Sequence, residues 1–283
     1  MLSRYADVAA ALRDHAYEPG EAGGAVDAAA HRAFREQARA AYSPERFAVW
    51  RVEWEREARA LFAAGPRELI GEVAEPWARG VACSVTGVAP ACAGMARALF
   101  EQPGSPAAAQ ATSELLPHCG GDPLRLQAFT ALCHTLPAFL GNAWRALLEH
   151  PEELRRLPAL LPGAMEELLR YAGPSTVQWR RRAADGCKVM LRLADANRDA
   201  EVFPEPDRLR LDRDATGHLA FGAGPHACAG GALIRAAAEV ALRAFAEWHS
   251  TAATPPRWPS RFMAEAVEFP QARAQRFLRV LPQ

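Results

Sequence analysis

A short glycine-rich segment with one cysteine, residues 219–239, constrains the fold of this chain more than any other stretch. Gly222 and Gly224 permit a tight loop because they lack a Cβ atom. Across residues 229–248, apolar side chains follow at helical spacing without an internal proline, which predicts a helix directly after Cys228. The free N–H groups and positive dipole end of such a helix favour a thiolate over a thiol. We therefore expect Cys228 to carry negative charge.

The order of residues in this loop is a complete motif. It reads Phe-Gly-x-Gly-x-His-x-Cys-x-Gly, with the matching positions Phe221, Gly222, Gly224, His226, Cys228 and Gly230. This motif resembles the haem-binding loop of the cytochrome P450 family. The resemblance implies that haem b is the cofactor and that Cys228 is the axial thiolate ligand of its iron, a ligand that favours O–O cleavage. It also implies that Phe221 packs beside the sulfur and that His226 faces a haem propionate. A glycine-rich turn with an incidental buried cysteine is the alternative.

Composition limits the classes of protein to which the chain can belong. Its 283 residues are 50% hydrophobic and show no change in composition between halves, which predicts a single domain over residues 1–283. The formal net charge is zero and the basic residues are dispersed, so no nucleic-acid or membrane partner is expected. No apolar run of about 18 residues and no signal-peptide pattern is visible, and the cysteines form no CxxC pair. These features predict a cytoplasmic protein.

A second match lies near the N-terminus. A helix is predicted to begin at residues 27–30, and it would carry His31 and Arg35. Side chains four residues apart on a helix share a face and can converge on one anion. The resemblance implies that this pair binds a haem propionate. A solvated helix face is the alternative.

A third match precedes the cysteine loop. Glu167 and Arg170 stand three residues apart on a predicted helix, close enough for an ion pair. The segment at 203–208 reads Phe-Pro-Glu-Pro-Asp-Arg. The resemblance implies that the pair binds Arg208. Such buried charges fix the relative positions of core elements and do not take part in the reaction.

Strands are predicted between and after these motifs, at 177–183, 186–193 and 277–281. The resemblance places an arginine of the first strand on the second haem propionate. Arg182 is the closest match in register. Arg180 is the rival candidate because alternate residues of a strand share a face.

Residues 124–150 predict one long helix that contains Pro137, which removes a hydrogen bond and should kink the helix near Cys133. The resemblance aligns it with the family's central helix, where an acid precedes a threonine. Here His134 replaces the acid and Thr135 supplies the alcohol. Histidine titrates near neutrality, so His134 could relay protons with Thr135. Alternatively, His134 faces away from the haem.

Residues 91–102 and 106–117 predict two short helices around a Pro-Gly-Ser-Pro turn. They stand where the family has the F and G helices over its substrate pocket. The resemblance therefore implies a cytochrome P450-like fold, mostly α with a small β portion, trimmed at the N-terminus and in the B–C and F–G regions. An open pocket would suit a bulky, carrier-tethered or peptide substrate, although a partner protein or a homodimer could cover it.

The function implied by the resemblance is that of a haem-thiolate monooxygenase. Such an enzyme would tailor a small molecule in bacterial secondary metabolism, such as antibiotic biosynthesis, and would take electrons from a separate ferredoxin and reductase. A peroxide-using or oxygen-independent haem catalyst with His134 as relay is one alternative. A non-catalytic haem-fold partner protein is another, although such proteins typically lack the thiolate.

Overall fold

The computed structural model describes residues 1–19, 28–66, 68–251, 262–268 and 271–280, and helices predominate among them. The α-helices are α1 (Tyr5–Arg13), α2 (Ala28–Ala41), α3 (Pro44–Ala63), α4 (Glu75–Thr86), α5 (Arg97–Glu101), α6 (Pro106–Leu115), α7 (Pro123–Thr130), α8 (Leu136–Glu149), α9 (Pro151–Leu160), α10 (Ala164–Ala172), α11 (Leu193–Ala196) and α12 (Gly231–Thr251). The strands are β1 (Tyr17–Pro19), β2 (Val177–Arg182), β3 (Lys188–Arg192), β4 (Phe262–Glu268) and β5 (Arg273–Val280). The mostly helical fold with a small β portion confirms the prediction.

The strands of the described residues form two antiparallel sheets. One has the order β1-β2-β3, with Trp179 opposite Met190, and the other is the β4-β5 hairpin. The three predicted strands are confirmed by β2, β3 and β5, although position 281 lies outside the described residues. The hairpin is tied to the helices because the Leu69 N–H donates to the Leu278 carbonyl over 2.9 Å.

The core is built around α8, whose residues are buried on almost every side. A helix that is apolar all round must lie inside the protein. The Trp144 ring packs against the Phe245 ring of α12 at a centroid distance of 5.5 Å and against the Phe62 ring of α3 at 5.8 Å. Gly141 allows the closest approach, since a Cβ there would lie 2.7 Å from the Ile70 Cδ1 atom.

The predicted long helix is interrupted where Pro137 follows Cys133 by four residues. Residues Ala131–Thr135 form a π-helix between α7 and α8, and the Leu136 N–H donates to the Ala131 carbonyl. Because proline has no N–H, the Cys133 carbonyl cannot receive its usual α-helical bond. The wider π turn accommodates this gap at the position where the sequence predicts a kink.

The segment before α4 contains a similar irregularity, since a π-helix (Ile70–Ala74) runs into α4 just before Pro76. No single helix in the described part of the chain is both long and apolar enough to cross a membrane. One pair of segments, Ile70–Thr86 and Pro90–Glu101, meets that test only when joined across a bend of 114°.

A buried ion-pair network joins α10 to the loop before the cysteine motif. Arg170 donates to both Glu167 carboxylate oxygens over 2.6 and 2.9 Å, and both side chains are fully buried. The third member is Arg213, whose Nε lies 3.2 Å from the Glu167 carboxylate and whose side chain is 6% exposed. Arg208, the residue predicted for this role, instead pairs with Glu205 and has a side chain that is 68% exposed.

That prediction for Arg208 is wrong for a local reason. The loop from 204 to 213 turns back on itself, and the Arg213 guanidinium donates to the Pro204, Glu205 and Arg208 carbonyls. These bonds fill the inside of the turn and leave the Arg208 side chain on its outer surface.

Candidate functional site

Two adjoining cavities meet at Cys228. Their volumes are about 530 and 490 Å³, within the range of small-molecule and cofactor sites. Both are lined by Gln127 and Ala131 on one side and by His226, Cys228 and Ile234 on the other. A flat cofactor placed over the Cys228 sulfur would therefore extend into both cavities.

The cysteine loop is held in place by α1. Gly222 and Gly224 adopt φ angles of +68° and +71°, in the left-handed region that favours glycine. A Cβ on Gly224 would lie 2.6 Å from the Leu12 carbonyl oxygen, so the loop backbone packs directly on the end of the helix. The Cys228 N–H donates to the Phe221 carbonyl over 2.8 Å, which closes the loop.

The charge on Cys228 differs from the expectation. The side chain is exposed toward the cavity, but the protein around the sulfur removes enough water to raise the pKa of the thiol. The Gly230 N–H and the charges of Arg235 and Arg35 act in the opposite direction without outweighing this desolvation. The protein alone therefore does not lower the pKa of this thiol, and a bound metal cation would act in that direction.

His31, Arg35 and His226 converge at one edge of the first cavity. The His31 and His226 rings lie 4.5 Å apart between centroids, and Arg35 Nη1 donates to the Ala227 carbonyl over 2.6 Å. Burial lowers the pKa of His226, and the neighbouring His31, Arg180 and Arg35 act in the same direction. This edge concentrates positive charge and fits an anion.

Arg180, rather than Arg182, lies near enough to this edge for its charge to act on His226. The Arg180 side chain is only 2% exposed, its Nε atom has no hydrogen-bond partner, and no carboxylate of the described residues lies within ion-pairing distance. Nη1 donates to the Trp179 carbonyl over 3.1 Å, and the Gln178 amide oxygen, when turned toward Arg180, lies 3.2 Å away. Burial lowers the pKa of Arg180. A buried cation without a counter-ion fits a carboxylate-bearing cofactor.

The assignment of the second propionate to Arg182 does not fit the structure. Arg182 ends β2, where the chain turns toward β3, and its guanidinium pairs with Asp185 at the other side of the turn. Its side chain is 45% exposed. The carboxylate within the turn thus draws Arg182 outward, away from the cavity edge.

Comparisons with known proteins agree with this geometry. No protein-family model matches the chain. It is 43% identical over 122 residues to the cytochrome P450 monooxygenase PikC of Streptomyces venezuelae, an alignment that covers 38% of this chain and 29% of PikC. Its fold matches the LnmA cytochrome P450 hydroxylase from the leinamycin biosynthetic pathway of Streptomyces atroolivaceus with a TM-score of 0.79 and 24% identity, over 98% of this chain and 89% of that one. The chain has the cytochrome P450 fold.

A third comparison is P450BioI, solved in complex with a fatty acid-ligated acyl carrier protein. It matches with a TM-score of 0.80 and 22% identity, over 98% of this chain and 90% of that one. The sequence alignments to the first three curated relatives span only 29–31% of their length. Similarity therefore establishes the fold across the chain and haem b as the cofactor of the family, while the reaction and substrate must be argued from the site.

His134 lies outside the two cavities that meet at Cys228. Its Nε2 atom is 3.1 Å from the Ala93 carbonyl oxygen, and its ring stacks on Phe100 at 6.0 Å between centroids. The ring lines a separate cavity together with Arg97. Burial lowers the pKa of His134. This position does not fit the interpretation of His134 as a proton relay and fits the alternative that it faces away from the haem.

Thr135, by contrast, lines the second cavity with Cys228. So do two residues that the sequence analysis missed, Gln127 and Thr130. The Thr130 Oγ1 atom is buried without a hydrogen-bond partner. The sequence did contain a signal for Gln127. It stands four residues before Ala131, which stands four residues before Thr135, and this spacing keeps all three residues on one side of a helix.

Proposed function

We propose that this chain binds haem b through the Cys228 sulfur and oxidises a small molecule as a monooxygenase. One observation carries the proposal, namely that Arg180 is buried with no carboxylate of the described residues in ion-pairing distance, while its charge acts on His226, which lines both cavities at Cys228. A haem propionate would supply the missing counter-ion while the sulfur ligates the iron. Without an anionic ligand, burial of this guanidinium would only cost stability.

The remaining residues of the cavity edge would hold the cofactor. His31, Arg35 and His226 would bind the propionates with Arg180, and Phe221 would pack beside the sulfur. Gly230 borders the sulfur, since a Cβ there would lie 3.9 Å from Cys228 Sγ, at ordinary van der Waals distance. When bound, the haem would supply reductive activation of oxygen, and thiolate ligation would favour O–O cleavage.

The protein's own part in the chemistry is to hold protons and exclude water on the open side of Cys228. Thr135 and Thr130 both line the second cavity. The Thr135 hydroxyl would hold a proton there, whereas the Thr130 Oγ1 atom is buried without a protein partner. The peroxide-using or oxygen-independent alternative depended on His134, whose position at the Ala93 carbonyl removes its support. An intact Cys228 likewise argues against a non-catalytic partner protein.

The second cavity indicates the kind of substrate. Its walls include Leu99, Phe100 and Pro103, and its only titratable lining residues within the described chain are His226 and Cys228. An uncharged, mostly apolar molecule fits such walls best. We propose a tailoring reaction in bacterial secondary metabolism in the cytoplasm, with electrons from a separate ferredoxin and reductase. A carrier-tethered substrate is the finer proposal, in line with the P450BioI complex.

The decisive experiment compares the wild type with Cys228→Ala after haem loading. The reduced carbon monoxide complex of the wild type should show the absorption of thiolate-ligated haem, and Cys228→Ala should lose it. Substrate-dependent oxygen consumption with ferredoxin, reductase and NAD(P)H should persist in His134→Ala and fall in Thr135→Ala. A wild type that shows no thiolate spectrum, or turns over only with peroxide, would contradict the proposal.

A further inference from the structure

Arg235 and Glu166 form a charged pair directly behind the cysteine loop. The Arg235 Cζ atom lies 4.6 Å from the centroid of the Phe221 ring, within cation–π range. Its Nε and Nη2 atoms donate to the two Glu166 carboxylate oxygens over 2.7 and 2.8 Å. Phe221 in turn accepts the Cys228 N–H through its carbonyl. The pair therefore contacts the ring that belongs to the same closed loop as the sulfur.

The surrounding residues hold this arrangement in place. A Cβ on Gly231 would lie 3.2 Å from Arg235 Nη1 and 3.6 Å from the Phe221 ring, so a glycine there allows the close packing. His218 Nδ1 accepts the Ala220 N–H, which leaves the proton of the neutral ring on Nε2. That Nε2 atom lies 3.1 Å from the Glu166 carboxylate and donates to it. The carboxylate is thus fixed from two sides.

We propose that Glu166 and Arg235 are positioning residues that set the reduction potential of the haem held by Cys228. The inference rests on the proposed function, since it requires a haem on that sulfur. Reduction adds an electron beside the sulfur, and the positive charge of Arg235 stabilises it. The negative charge of Glu166 partly cancels this effect. Because the pair is only partly exposed, solvent does not screen these charges fully.

The two charges make opposite predictions. In the haem-loaded protein, Glu166→Gln leaves the charge of Arg235 uncompensated and should shift the reduction potential to more positive values. Arg235→Gln leaves the carboxylate and should shift it to more negative values. The double variant should lie between them, near the wild type. If the pair only held Phe221 in place, both single variants would loosen the same ring and shift the potential in the same direction.

Spectroelectrochemical titration of the four proteins measures these shifts without any turnover. Glu239→Gln is the matched control, because Glu239 is also paired with an arginine, Arg51, but stands one turn further along α12, about 6 Å from Arg235 along the helix axis. Its shift should be smaller than that of Glu166→Gln, and high salt should reduce both shifts.

Shifts of the same sign in the two single variants, or no shift, would overturn the inference if their thiolate spectrum with carbon monoxide stays intact. The absence of that spectrum in the wild type would overturn the proposed function and this inference with it.

Discussion

Arg180 and Arg182 lie two residues apart on the same strand, yet their side chains have opposite environments. Arg180 is buried without a carboxylate, whereas Arg182 is paired with Asp185 in solvent. Strand periodicity places both on one face and cannot separate them. The Asp185 carboxylate in the turn after the strand determines that Arg182 is the arginine drawn into solvent. Its position relative to Arg182 depends on how the strand twists and ends.

The first prediction follows from this contrast. Arg180→Gln removes a charged partner of the propionate, a contact worth about 1.5–3 kcal/mol, so the dissociation constant for haem should rise roughly 10- to 100-fold. Arg182→Gln removes only an exposed ion pair and should change haem affinity little. Titration of the haem-free proteins with haem, followed by absorbance, measures both values. Equal effects of the two variants would contradict the assignment of Arg180.

At the scale of elements, the sequence predicted most helices and strands because their periodicity is local. The helical pattern of residues 124–150, which α7, the π-helix and α8 follow in turn, is an example, as is α12 after Cys228. What could not be predicted was which side chain a loop turns inward, since that depends on packing between distant segments. Arg213 rather than Arg208 completes the network with Glu167 for this reason.

The second prediction tests that network. Arg213→Ala leaves the fully buried Glu167 carboxylate with one cation fewer and should lower the free energy of unfolding by about 3 kcal/mol or more. Arg208→Ala removes an exposed contact and should cost less than about 1 kcal/mol. Urea unfolding of the haem-free proteins, followed by circular dichroism, gives both numbers. A larger loss for Arg208→Ala would restore the original interpretation.

At the scale of the whole molecule, the cysteine loop depends on elements that are far apart in sequence. The end of α1 packs on Gly224, α2 supplies Arg35 to the Ala227 carbonyl, and α10 supplies Glu166 to Arg235. The motif predicted the site because the loop itself is local. The contacts that α1, α2 and α10 make with this loop could not be predicted, because ordinary surface pairs have the same sequence pattern.

The third prediction concerns the dependence of folding on pH through one such support. Arg235 and His218 lower the pKa of Glu166 from its ordinary value of 4.5 to about 2. A carboxylate with a lowered pKa in the folded state stabilises the fold above about pH 4.5, and this contribution is lost as the pH falls toward about 2. The difference in unfolding free energy between the wild type and Glu166→Gln should therefore be largest near neutrality and shrink across that interval. Urea unfolding of the two haem-free proteins at a series of pH values measures it, and a difference that stays constant would show that the Glu166 charge does not couple α10 to α12.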